Sequence, residues 1–119
     1  MLREVQNVRQ IAGEPFRRWF ASDWFDIIVW YDGQEISGFQ LCYDKHNKER
    51  ALTWKKHGAW HHLGVDDGEG RDMHHKSSPI LVADGSFDPE PVLERLMAES
   101  LEMPGDLIGF ISRHLRTLK

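Results

Sequence analysis

Seven histidines, His46, His57, His61, His62, His74, His75 and His114, are the side chains of this 119-residue chain best suited to chemistry. Neutral imidazole ligates borderline metals and moves protons near neutral pH. The sharpest metal reading joins a strand histidine, His61 or His62, to His74 or His75 and to a carboxylate from Asp66, Asp67, Glu69 or Asp72. In that reading His62, Asp66, Asp67, His74 and His75 hold Zn²⁺, and the protein is a metal-dependent, hydrolase-like enzyme. The spacing is unspecific. The chain has no His-Glu-x-x-His, no Cys-x-x-Cys pair and no EF-hand register in its acidic stretch. The plainer expectation is no cofactor, with a solvated loop following a strand whose inward histidine is hydrogen-bonded in the core.

Nucleophiles are no better placed. Cys42 lies in a strand-like run and reads as a small buried hydrophobe. No serine occupies a Gly-x-Ser-x-Gly elbow, and Gly64-x-x-x-Gly68-x-Gly70 is neither a P-loop nor a dinucleotide fingerprint. Nothing here demands an enzyme.

Tryptophan carries more weight. Trp19, Trp24, Trp30, Trp54 and Trp60 all fall in predicted strands, and tryptophan combines large contact area with a polar handle. Trp60 is expected to share a face with Thr53, Lys55 and His62. Together with Trp30 these are the candidate binding residues, for a small apolar or aromatic ligand, a peptide or a second copy of the chain. The expected function is therefore a small binding or interaction domain.

Those residues need elements to position them. The stretch Trp24 to Tyr43 is the strongest hairpin signal, two aromatic and β-branched runs around Asp32-Gly33-Gln34-Glu35. A loop of Asp32-Gly33 or of Gly33-Gln34 leaves the same residues together. One face would carry Phe25, Ile27, Val29, Tyr31, Ile36, Gly38, Gln40 and Cys42, the other Trp24, Asp26, Ile28, Trp30, Ser37, Phe39, Leu41 and Tyr43. Both sets are largely apolar, which predicts that both faces are covered, by helices, by sheet curvature or by a partner subunit.

Residues 1–12 fit either a helical stripe or a short irregular strand. Phe16 to Ala21 reads as an edge or surface strand. Arg50 to Lys56 and Ala59 to Val65 form a second hairpin about His57-Gly58, pairing Trp54 with His61, Lys55 with Trp60 and Thr53 with His62. Residues 64–78 read as a long acidic loop, and Pro79 to Ala83 as a short strand. Asp88-Pro89 opens a helix striped by Val92, Leu93, Leu96, Met97 and Leu101. Leu107, Ile108, Ile111, Leu115 and Leu118 stripe a second.

The fold class that follows is α+β, one domain over residues 1–119. It has a curved antiparallel sheet of about five to six strands in a meander, with two C-terminal helices packed on one face. Hydrophobic residues at 40% and charged residues at 29% suit a globular core. A formal charge of −4, with Glu90, Glu94, Glu99 and Glu102 on the first helix, makes nucleic acid an unlikely partner and the helix pair an αα-hairpin. No run is apolar enough to span a bilayer. With one cysteine and no signal-type start, the expected location is cytoplasmic, and an uncovered sheet face or edge would favour a homodimer.

Overall fold

The computed structural model describes residues 1–47, 49–64, 76–79 and 87–118. Among them every strand pairs antiparallel with its sequence neighbour. The strands are β1 (Arg3–Glu4), β2 (Phe16–Ala21), β3 (Phe25–Asp32), β4 (Glu35–Tyr43), β5 (Arg50–Lys55), β6 (His61–Gly64) and β7 (Lys76–Pro79), and they lie in that order across one sheet. Helices α1 (Pro89–Glu99) and α2 (Gly105–Arg116) follow. The expected α+β meander with two C-terminal helices is what forms. The two-residue β1 takes the strand count past the expected six, and β7 takes in Lys76 to Ser78 of the supposed loop together with Pro79. Ile80 to Ala83 lie outside the described residues.

The central hairpin departs from expectation in one residue. Asp32 pairs with Glu35 around Gly33-Gln34, and Gly33 at φ +64° supplies the positive dihedral that such a turn needs at its first position. Tyr31 then faces Ile36, but Trp30 faces Gly38, so Ser37 is an extra residue, a β-bulge. Because strand side chains alternate with period two, this extra residue inverts every later position of β4. Phe39, Leu41 and Tyr43 therefore join Val29, Ile27 and Phe25, their cross-strand partners, instead of opposing them.

The bulge thus gathers the large side chains on one side. Phe20, Phe25, Ile27, Val29, Phe39, Leu41 and Leu52 are each at most 1% exposed beneath the helices, and each such burial contributes about 1.5–3 kcal/mol. The other face holds Trp19, Asp26, Ile28, Trp30, Gln40, Cys42 and Thr53, all half-buried. Asp26 there accepts from Trp19 Nε1 at 3.0 Å and meets Lys45 Nζ at 3.3 Å. A charge-bearing face of this kind keeps contact with water. The expected cover is therefore found on one face, which the helices seal, while the other is half-buried in the single chain.

The helices close the sealed face for local reasons. Asp88, extended at φ −101°, caps α1 by accepting from Glu90 N at 3.1 Å, with Pro89 at the first helical position. Pro89, Val92, Leu93 and Leu96 of α1, and Leu107, Ile108, Ile111 and Leu115 of α2, turn inward. At the opposite edge Leu2 is fully buried and donates its N–H to Glu99 O at 2.9 Å. Glu4 clamps Arg18 through two bonds of 2.7 and 2.8 Å, which ties β1 to β2. The first residues form neither the helical stripe nor a strand through Val5, Val8 and Ile11; only Arg3 and Glu4 are in a strand. No helix among the described residues is long and apolar enough to cross a membrane.

Candidate functional site

The expected site depends on the β5–β6 register, and that register slips by one. Thr53 pairs with His61 and Leu52 with His62, and the connection runs from Lys56 to Trp60 rather than over His57-Gly58 alone. Lys56 N donates to Ser37 O at 2.9 Å, so this residue is bonded to the bulge of β4 and does not extend the ladder to β6. A one-residue slip moves side chains to the opposite face. His62 and Trp60 consequently lie on the sealed side, while Thr53 and Lys55 stay on the partly wet one.

The five candidate residues are therefore divided. Thr53 Oγ1 accepts from Gln40 Nε2 at 2.9 Å, and Lys55 Nζ lies 4.8 Å above the Trp30 ring. Trp30 and Lys55 border a hollow with Glu14, Pro15 and His57. Trp60 packs against Phe39 and Trp54, at centroid distances of 5.9 and 6.5 Å. His62 belongs to a separate recess of about 300 Å³ with Trp24, Tyr43, Arg50 and Phe87.

In that recess Tyr43 Oη lies 2.6 Å from His62 Nε2, with the two rings within 6° of parallel. Burial pushes the Tyr43 hydroxyl up to about 12, and burial followed by the nearby Arg50 charge holds His62 below the usual imidazole range. Both shifts favour a phenol that donates and a neutral imidazole that accepts. His62 is thus an inward histidine with a satisfied bond, and its Nε2 is occupied. Asp66, Asp67, His74 and His75 lie outside the described residues. Among those described, no group of three or more His, Cys, Asp or Glu side chains could hold a metal ion.

A larger cleft, about 660 Å³, opens between α2 and the ends of the two hairpins. One wall is Asp106, Phe110, Arg113 and His114, which at spacings of four, seven and eight residues share one side of a helix. Facing them are Gln34, Glu35 and Ile36 at the β3–β4 turn, and Trp54 and Lys56 at the end of β5. The His114 ring stacks on Phe110 at 4.2 Å and 26°, and lies 4.4 Å from Trp54. Phe39, fully buried, backs all three.

The polar groups of the cleft differ in how far they are engaged. His114 Nδ1 is 2.8 Å from Phe110 O. A carbonyl only accepts, so Nδ1 carries the proton, and in the neutral ring Nε2 keeps a lone pair. Lys56 Nζ meets Glu35 Oε1 at 2.9 Å, an exposed pair in which each partner stabilises the other's charge, lowering the Glu35 carboxyl and raising the Lys56 amine. Asp106 Oδ1 accepts from Leu107 N at 2.9 Å. Arg113 makes no ion pair among the described residues, and its Nη1 lies beside Gly109, where a Cβ would stand 3.3 Å from it.

An arrangement of ring faces at the back and charges at the rim can bind; it presents no nucleophile beside a base. The sequence names His114 among the histidines but does not join it to Phe110 and Arg113 in one site. Their one visible signal is that Phe110 and His114 are four apart on the helix, next to the apolar stripe. Compared with protein families, with curated proteins and with solved structures, the chain finds no match.

Proposed function

We propose that this chain is a small-molecule binding domain whose ligand inserts an apolar or aromatic group into the cleft between α2 and the ends of β4 and β5. The observation that carries this reading is that the half-buried Trp54, His114 and Phe110 rings pack together and line a cavity of about 660 Å³. Ligand sites are commonly clefts of roughly 300–1,000 Å³ lined by aromatic side chains with a few polar groups. The binding role expected from the tryptophans is kept, and its location moves from the partly wet sheet face to the helix-covered one. We assign the protein to the cytosol, in keeping with a lone Cys42 that has no disulfide partner in the chain.

Calorimetry with a neutral bicyclic aromatic, 2-naphthamide, tests the proposal. Binding to the wild type that weakens about tenfold in Phe110→Ala supports it, since stacking on one ring contributes on the order of 1–1.5 kcal/mol. Equal binding by Phe110→Ala and wild type overturns it. Homodimerisation through the other sheet face, where Trp19, Ile28 and Trp30 are half-buried, is a separate reading. Light scattering measures it directly.

A further inference from the structure

Resting on the binding reading above, we infer that the cleft selects planar aromatic anions, a ring system bearing a carboxylate, with Arg113 receiving the anionic group. The rings of Trp54, Phe110 and His114 account for a flat apolar body. The question left is which charge accompanies it, and the four charged side chains at the rim answer differently.

Lys56 and Glu35 neutralise one another at 2.9 Å. The Asp106 carboxylate is turned onto the backbone N–H of Leu107, in the first turn of α2, where the helix dipole already favours a negative charge. Arg113 has neither kind of satisfaction. The residues three and four positions away on its helix are Gly109, Phe110, Arg116 and Thr117, none of them acidic. Asp106, seven residues back, forms no ion pair with it among the described residues and is bonded instead to Leu107 N. A guanidinium presents paired donors that match a carboxylate bidentately, which a lysine ammonium does not.

The helix sequence favours this placement. Gly109 is an interior glycine, a poor helix former, and its missing Cβ leaves the space next to Arg113 Nη1, where an added methyl would come within 3.3 Å. The guanidinium therefore lies close along the helix, beside the aromatic wall. The C-terminal end of α2 carries a partial negative charge that opposes an anion there, but this exposed and screened effect is weaker than a bidentate charge-assisted pair.

Three probes that share one ring test the inference by titration of ¹⁵N-labelled protein. They are 2-naphthoate, neutral 2-naphthamide and cationic 2-naphthylmethylammonium. The expected order is naphthoate tightest, by about tenfold over the amide, with the cation weakest. Arg113→Gln should abolish the naphthoate advantage over the amide, while Arg113→Lys should retain only part of it. Equal affinity of naphthoate and amide, a preference for the cation, or an unchanged naphthoate advantage in Arg113→Gln overturns the inference while the binding reading stands. Failure of all three probes to perturb the cleft removes both.

Discussion

Truncating Phe39 to alanine should remove a large share of the stability of this domain. Phe39 is fully buried, with ring centroids of Trp54, Trp60, His114 and Phe110 at 5.4, 5.9, 6.1 and 6.4 Å. A phenylalanine deleted from such a site costs about 3–5 kcal/mol, against a total of roughly 5–15 kcal/mol for a typical domain. Its neighbour Gln40 points to the other face and donates a single bond to Thr53 Oγ1. Gln40→Ala should therefore cost only about 0.5–1.5 kcal/mol. In urea, with a slope of about 2 kcal/mol per molar, Phe39→Ala should lower the midpoint by about 2 M and Gln40→Ala by less than about 1 M. Tryptophan fluorescence and far-ultraviolet circular dichroism should report the same transition. Should Phe39→Ala fail to fold, Phe39→Leu should still cost about 1 kcal/mol. The reasoning is refuted if Gln40→Ala is the more damaging change, because Phe39 would then lie on the wet face and Ser37 would not be bulged.

Three other perturbations probe different parts of the account. Gly38→Ala should destabilise by about 1–3 kcal/mol, since its Cβ would come within 2.8 Å of the Trp54 carbonyl oxygen, a backbone atom that cannot step aside. Gly58→Ala, which meets nothing closer than 3.4 Å, should change the urea midpoint little. His62 is held below the ordinary imidazole value of 6.5 by burial and then by Arg50, so the unfolded chain binds its proton first as pH falls. The stability this group contributes is complete above about 6.5 and is lost as pH drops toward the folded value, by at most about 1.4 kcal/mol per pH unit. His62→Gln should flatten that part of a stability-against-pH curve, and NMR should show the His62 ring titrating below 6.5. The Cys42 thiol, pushed up to about 11 by burial and then by Glu49 and Asp26, should alkylate at pH 8 far more slowly than a free thiol. Rapid labelling of the folded protein by iodoacetamide would contradict its placement.

The readable parts of the fold were those with local causes. Asp88-Pro89 announces α1 because a cap and a fixed φ act within one turn, and the α2 stripe follows from the period of a helix. Strand order was legible because short connections join sequence neighbours. The faces were not. Both sets of side chains in the central hairpin are apolar, so nothing in their composition marks Ser37 as an extra residue. That identity emerges from the ladder, where Trp30 meets Gly38 and Tyr31 meets Ile36. The β5–β6 slip has a comparable cause, a bond from Lys56 N to Ser37 O across nineteen positions of sequence, which no turn rule contains. The β5–β6 slip moved Trp60 and His62 away from Thr53 and Lys55, and the bulge brought Phe39, Leu41 and Tyr43 over to Val29, Ile27 and Phe25. Aromatic richness was visible as composition, while its convergence with Phe110 and His114 required the helix to be docked.

The central claim is that ligand enters beside α2 at the Trp54, Phe110 and His114 rings. Its most direct test is a map of backbone amide and indole N–H shifts on titration with 2-naphthamide. The account predicts perturbations at Gln34 to Ile36, Trp54, Lys56 and Asp106 to His114. Perturbations centred instead on Trp30 and Lys55, or on Tyr43 and His62, would contradict it.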